Sequence, residues 1–209
     1  MIKKNYNLSF WLKKMYLLQQ IPFSDKRIQR GLNDVDLWLC STGGSGSNLL
    51  KAYLDPYIRV RSPYLAALLT HHKEPVEHTR KGFKAIYLHA DPFSVLRSVK
   101  RRDLVSTNIK KLNNSRALVE SDELLLQSVF DQFDAWTQSN VSYPILCVKY
   151  EALFDSWEII SEFIGFELSD FPRKKNRVSG KVEIDTELSQ KFDLEYRKWK
   201  QFPAIRIIE

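Results

Sequence analysis

Between residues 35 and 54, the apolar run V-D-L-W-L-C leads into Ser41-Thr-Gly-Gly-Ser-Gly-Ser47 and then into a segment of helical character over residues 48–54. Three of the chain's seven glycines fall within residues 43–46. Glycine carries an entropic cost, so such a concentration needs a reason. A strand that enters a glycine-rich turn and leaves it as a helix aims several backbone N–H groups at one point. The helix N-terminus adds roughly half a positive charge there. The backbone of Gly43, Gly44, Ser45, Gly46, Ser47 and Asn48, with the side chains of Ser45, Ser47 and Asn48 as further donors, suits a phosphate or sulfate group. The plain alternative is a tight turn that carries no ligand. The pattern G-x-x-x-x-G-K-S/T of nucleotide kinases would require lysine after the last glycine, and Ser47 stands there. Nor does G-G-S-G-S-N match the dinucleotide pattern G-x-G-x-x-G.

The rest of the chain alternates strand-like and helix-like segments. Residues 84–88 (K-A-I-Y-L) and 144–148 (P-I-L-C-V) are apolar runs of the buried-strand type, and residues 57–61 alternate weakly. Helical spacing covers residues 8–20, runs from Asp91-Pro92 to about residue 102, and covers 121–138, 152–163 and 186–201, with Gly165 as a C′ residue. Ser62-Pro63 resembles an N-cap followed by proline at the first helical position. Residues 26–30 read as a connector, 103–120 as a polar and basic stretch, and 171–181 as a basic loop. Strands separated by helices predict an α/β protein with a central parallel sheet flanked by helices. With 209 residues, 44% of them hydrophobic, one domain over residues 1–209 is expected.

A net charge of +7 and a pI of about 9.3 suit an anionic partner without choosing among nucleotide, sulfated glycan, nucleic acid and acidic lipid. No aromatic-basic recognition module is visible, so nucleic acid is not expected. No run approaches the roughly 20 apolar residues of a membrane helix. The apolar stretch at 8–21 is interrupted by Lys13 and Lys14 and has no small-residue cleavage site, so it reads as a core-packing amphipathic helix. A cytoplasmic protein is the expectation. Cys40 and Cys147 sit in strand-like runs and read as buried inert thiols; no metal-ligand spacing exists and no metal is expected.

Four segments in order resemble the sulfotransferases that use 3′-phosphoadenosine 5′-phosphosulfate (PAPS). Thr42-Gly-Gly-Ser-Gly-Ser-Asn-Leu49 is similar to their 5′-phosphosulfate loop, T/S-Y/F-P-K/R-S/A-G-T/S-T/N-W/L. Lys84-Ala-Ile-Tyr-Leu-His-Ala-Asp-Pro-Phe-Ser-Val-Leu-Arg-Ser98 resembles the 3′-phosphate segment, a strand followed by R-D/N-P-x-D-x-x-x-S. Ile145-Leu-Cys-Val-Lys-Tyr-Glu-Ala-Leu153 looks like the strand ending in Y-E-D-L, and Phe163-Ile-Gly-Phe166 like the F-L-G-L that follows it. The resemblance implies a P-loop three-layer α/β fold. It also implies metal-free, in-line transfer of a sulfuryl group from PAPS, the co-substrate, to a hydroxyl of a carbohydrate or small-molecule acceptor. Carried over residue by residue, the loop from Gly43 to Asn48 would cradle the 5′-phosphosulfate and Ser98 would bind the 3′-phosphate. Tyr150 would lie near the adenine, and Arg173, Lys174, Lys175 and Arg177 would embrace the 3′-phosphate.

Two positions depart from that pattern. The family's loop lysine or arginine falls on Gly44, and its 3′-phosphate arginine falls on Ala90. Each lost charge-assisted contact forfeits roughly 1.5–3 kcal/mol. Arg97 and Arg101 are candidate replacements at the 3′ end, and Arg61 and Lys51 at the 5′ end. The family's general base is often a histidine after the second strand. Leu69-Thr-His71 retains it but reads as helix, whereas Val60-Arg-Ser-Pro63 fits a strand and has no histidine. His71 is the candidate base, with Arg61 beside the reaction and His72 and His89 as rivals. The alternatives are a nucleotide-binding relative with little or no activity, motivated by Gly44 and Ala90, and a P-loop kinase.

Overall fold

The computed structural model describes residues 25–60, 70–115, 117–168 and 185–209. The expected helix over residues 8–20, the capped helix at Ser62-Pro63, the basic loop at 171–181, and with them Arg61, Arg173, Lys174, Lys175 and Arg177, lie outside the described residues. The described elements are α1 (Asp25–Asn33), β1 (Leu37–Ser41), α2 (Ser47–Leu54), β2 (Lys84–His89), α3 (Pro92–Lys100), α4 (Val105–Leu112) and α5 (Asp122–Thr137). There follow β3 (Ile145–Lys149), a 3₁₀ turn (Tyr150–Asp155), α6 (Trp157–Ile164), α7 (Thr186–Lys191), α8 (Asp193–Gln201) and β4 (Ile205–Ile208).

The three apolar runs pair because each is buried on both faces, as a covered parallel sheet demands. Sheet order is β1-β2-β3-β4; β1 and β3 both run parallel to β2, with Leu39 opposite Ile86 and Ile86 opposite Leu146. Alternate residues go to opposite faces. Trp38, Cys40, Ala85, Tyr87, Ile145 and Cys147 pack under α1, α3, α4 and α5, with Phe192 and Trp199 from the C-terminal helices. Leu37, Leu39, Ile86, Leu88, Leu146 and Val148 pack under α2, the 3₁₀ turn and α6. The chain is therefore α/β, with helices on both faces of a mostly parallel sheet. No helix among the described residues is long and apolar enough to cross a membrane.

Helix starts follow side-chain chemistry. Asp91 Oδ1 accepts from Ser94 N at 2.6 Å with Pro92 just inside the helix, and Ser121 Oγ accepts from Leu124 N at 3.1 Å. α6 ends on Gly165 at φ 80°, the left-handed conformation expected of a C′ residue. Both cysteines are buried and free, and burial pushes the Cys147 thiol up to about 12 and Cys40 higher still.

Several boundaries differ from the sequence reading. Residues 26–30, expected as a connector, belong to α1, because Ile28 and Leu32 four residues apart bury one stripe of a charged helix. The polar stretch 103–120 contains α4, held through buried Val105, Ile109 and Leu112. Residues 57–60 form no strand, though the Arg59 carbonyl accepts from Asp36 N at 2.8 Å. The helix expected over 186–201 breaks in two at Phe192, whose ring is buried against the sheet and stacked on Phe130. The central parallel sheet expected from the sequence carries one antiparallel edge strand, β4. Residues 205–208 pair antiparallel with β3 after the short turn that follows α8.

Candidate functional site

The carboxyl ends of β1, β2 and β3 share one edge of the sheet, the edge where open parallel sheets bind ligands. The glycine-rich loop leaves β1 there. Gly43, Gly44 and Gly46 have φ of 84°, 69° and 77°, conformations that L side chains rarely adopt. The loop is anchored from below, because Ser45 Oγ donates to the Leu88 carbonyl of β2 at 3.3 Å and Thr42 N to the same oxygen at 3.4 Å. The helix α2 then starts at Ser47, one residue before the sequence suggests, with Gly46 as an N-cap that offers no side-chain acceptor. Among the described residues, none of the six backbone N–H groups from Gly43 to Asn48 has a hydrogen-bond acceptor. Such a row of open donors at a helix N-terminus is chemically suited to an anion.

Distant elements close over this loop. A Cβ at Gly43 would lie 2.7 Å from Asn108 Oδ1 of α4 and 3.7 Å from His71 Cε1. One at Gly44 would lie 3.3 Å from Ser98 Oγ and 3.3 Å from Arg102 Nη2, and one at Gly46 would lie 2.5 Å from Tyr150 Cε2. Thus Ser98, Tyr150 and His71, separated widely in sequence, meet at the loop. A side chain at Gly46 would collide with Tyr150 and one at Gly43 with Asn108, while one at Gly44 would crowd Ser98 and Arg102.

His71 sits in a turn at 70–71, not in a helix as its register suggests. Its Nδ1 lies 2.9 Å from the Ser41 carbonyl and 3.4 Å from Ser41 Oγ. The shorter contact requires Nδ1–H to donate, which leaves Nε2 with a free lone pair. Burial pushes the imidazole down to about 4; the Ser41 carbonyl opposes this, while Lys111, Lys51 and Arg102 add to it. At neutral pH the ring is neutral and its Nε2 can accept a hydrogen bond, and its depressed pKa makes it a weak base. The segment is pinned from behind. Ser41 N donates to the Thr70 carbonyl at 2.6 Å, the buried Lys51 ammonium to Thr70 Oγ1, and Gln132 Nε2 and Trp136 Nε1 to the His72 carbonyl at 2.7 and 3.1 Å.

The rival histidines serve the fold. His72 Nδ1 lies 2.7 Å from the Glu74 carbonyl. His89 is fully buried among Tyr87, Phe133, Trp199 and Phe202; its Nδ1 accepts from Trp199 Nε1 at 3.0 Å, and burial holds its pKa near 3. Both His71 and His89 therefore keep ionisation constants below the ordinary 6.5. The stability that depends on their neutrality is complete above pH 6.5 and is lost as pH falls through about 4 and then about 3. Denaturant unfolding at stepped pH should lose at most about 1.4 kcal/mol per pH unit for each histidine below 6.5. A flat profile between pH 6.5 and 4 would show that neither ring is held neutral.

Not every expected residue joins the loop. Arg97 Nη2 donates to Ser94 Oγ at 3.0 Å and lies 3.9 Å from Asp91 Oδ1, at the start of its own helix. Arg101 is exposed, and Ala90 is buried. The residues missed by sequence reading are Asn108 and Arg102. Arg102 lies in the turn just after α3, and its Nη2, not Arg101, comes to 3.3 Å from a Cβ built at Gly44. No cluster of His, Cys, Asp or Glu that could hold a metal ion exists among the described residues. A cavity of about 510 Å³ lined by Asp36, Arg59, Lys84 and Phe166 lies at the opposite end of the sheet. Its charges are spent internally: Arg59 pairs with Asp36 at 3.1 Å, and Lys84 Nζ donates to the Phe163 carbonyl. Compared with protein-family models, with curated proteins and with solved structures, the chain gives no significant match.

Proposed function

We propose that this protein binds PAPS on the loop from Gly43 to Asn48 and transfers its sulfuryl group to a hydroxyl of a carbohydrate or small-molecule acceptor, in a P-loop α/β fold. The observation that carries the reading is the row of open N–H groups from Gly43 to Asn48, approached by Ser98, Tyr150 and His71. A row of open peptide N–H groups on a three-glycine turn suits a tetrahedral anion. In this reading the loop amides hold the 5′ anion, Ser98 contributes a hydroxyl on its nucleotide side, and Tyr150 walls the loop beside the adenine. His71 Nε2 takes the acceptor's proton as the new O–S bond forms and the bond from sulfur to the bridging phosphate oxygen breaks. The leaving group is adenosine 3′,5′-bisphosphate. Positioning and fixed dipoles supply most of the acceleration, as in phosphoryl transfer.

The second reading, a nucleotide-binding relative with little activity, is favoured by Gly44 and by the buried Ala90, where the family carries cations. Calorimetric titration with adenosine 3′,5′-bisphosphate tests the shared claim: micromolar, one-to-one binding is expected. No heat and no thermal shift would overturn both readings, and magnesium-dependent ATP turnover would replace them with a kinase. His71→Ala separates the two that remain. It should lower sulfuryl transfer by about 10²–10⁴-fold while leaving bisphosphate affinity unchanged. Binding without transfer to any acceptor in a broad panel would favour the inactive relative.

A further inference from the structure

We infer that Arg102, at the carboxyl end of α3, is the cation that grips the 5′ anion on the loop. This rests on the nucleotide reading above and assigns a residue to the charge that the loop itself lacks.

Gly44 has no side chain, and at φ 69° it could carry one only under strain. The space beside it is taken by Arg102, whose Nη2 would lie 3.3 Å from a Cβ built there. Arg102 Nε donates to the Ser98 carbonyl at 2.9 Å, which fixes one edge of the guanidinium and leaves its other N–H groups for a ligand. Among the described residues no carboxylate pairs with Arg102. It adds to the depression of Lys111, whose main cause is burial, and to that of the neutral His71. A guanidinium held beside an ammonium and a desolvated imidazole, over open peptide N–H groups, has its electrostatic complement in an anion. Planar, paired N–H groups match two oxygens of a phosphate or sulfate better than an ammonium does. The glycine and the arginine form one device, because emptying position 44 lets a side chain from the turn after α3 reach where a loop side chain would stand.

The test is calorimetry with two probes, adenosine 3′,5′-bisphosphate and adenosine 3′-phosphate, on wild type, Arg102→Ala, Arg102→Lys and Lys100→Ala. Lys100 pairs with Asp122, away from the loop, and controls for net charge. Arg102→Ala should weaken the bisphosphate about 10- to 100-fold and the 3′-phosphate less than about threefold, with an unchanged melting temperature. Arg102→Lys should recover part of the loss, and Lys100→Ala should match wild type. If wild type binds the bisphosphate and Arg102→Ala binds it equally well, the assignment of Arg102 is overturned while the nucleotide reading stands. Equal weakening of both probes would also overturn it, by removing the 5′ selectivity. If wild type binds neither probe, the nucleotide reading falls and takes this assignment with it.

Discussion

Replacing Gly46 by alanine is expected to cost about 2–5 kcal/mol of stability and to abolish nucleotide binding. Two penalties add. At φ 77° an L side chain costs roughly 1–2 kcal/mol of backbone strain. The new methyl would also stand 2.5 Å from Tyr150 Cε2 and 3.0 Å from Cδ2, inside contact distance of an aromatic ring rather than of a flexible tip, which adds roughly 1–3 kcal/mol. Gly165→Ala is the matched control: its φ is 80°, but nothing lies within 4 Å of the added atom, so only the strain applies. Removing the ring in Gly46→Ala/Tyr150→Ala should recover the steric part and leave the strain, a coupling that a denaturant-based double-mutant cycle measures directly. Equal cost for Gly46→Ala and Gly165→Ala would show that Tyr150 does not lie over the loop.

Trp136→Ala is expected to cost about 3–5 kcal/mol, the usual loss for truncating a fully buried large aromatic. The indole stacks on Tyr87 at 5.1 Å and meets Trp38 edge-on at 4.8 Å, so its removal opens a cavity under the sheet. Its effect should reach the site as well. With Gln132 it holds the His72 carbonyl, and through it the turn that presents His71. Trp136→Phe loses the N–H and part of the ring volume, while Gln132 still satisfies that carbonyl, so it should cost about 1–3 kcal/mol, less than the alanine. Gln132→Leu removes the stronger anchor and leaves the Tyr87 hydroxyl without its acceptor, so a larger loss is expected. NMR titration of the imidazoles reads the functional half of the effect. In Gln132→Leu the His71 pKa should rise from about 4 toward 6.5 as the turn loosens and water enters. An unchanged His71 titration would show that the turn does not depend on α5.

The local chemistry of the loop was legible in the chain itself. Glycines at 43, 44 and 46 between an apolar strand and a helix leave few other conformations, because positive φ is cheap only for glycine. The same holds for the Asp91 and Ser121 caps and for the three buried strands, whose signals lie within a few residues of one another. Other features were not legible. α1 hides a stripe of two apolar residues inside a charged run, and β4 is a strand only because β3 offers it a free edge. His71, Arg102, Asn108 and Tyr150 come from separate elements, and no spacing along the chain encodes their meeting. That Arg102 rather than Arg101 reaches the loop is set by the turn that follows α3, beyond the reach of helical spacing. Short-range sterics and hydrogen bonding wrote the loop into the sequence. The surroundings that bring Arg102 and His71 to it depend on long-range burial, which only the packed sheet and its helices decide.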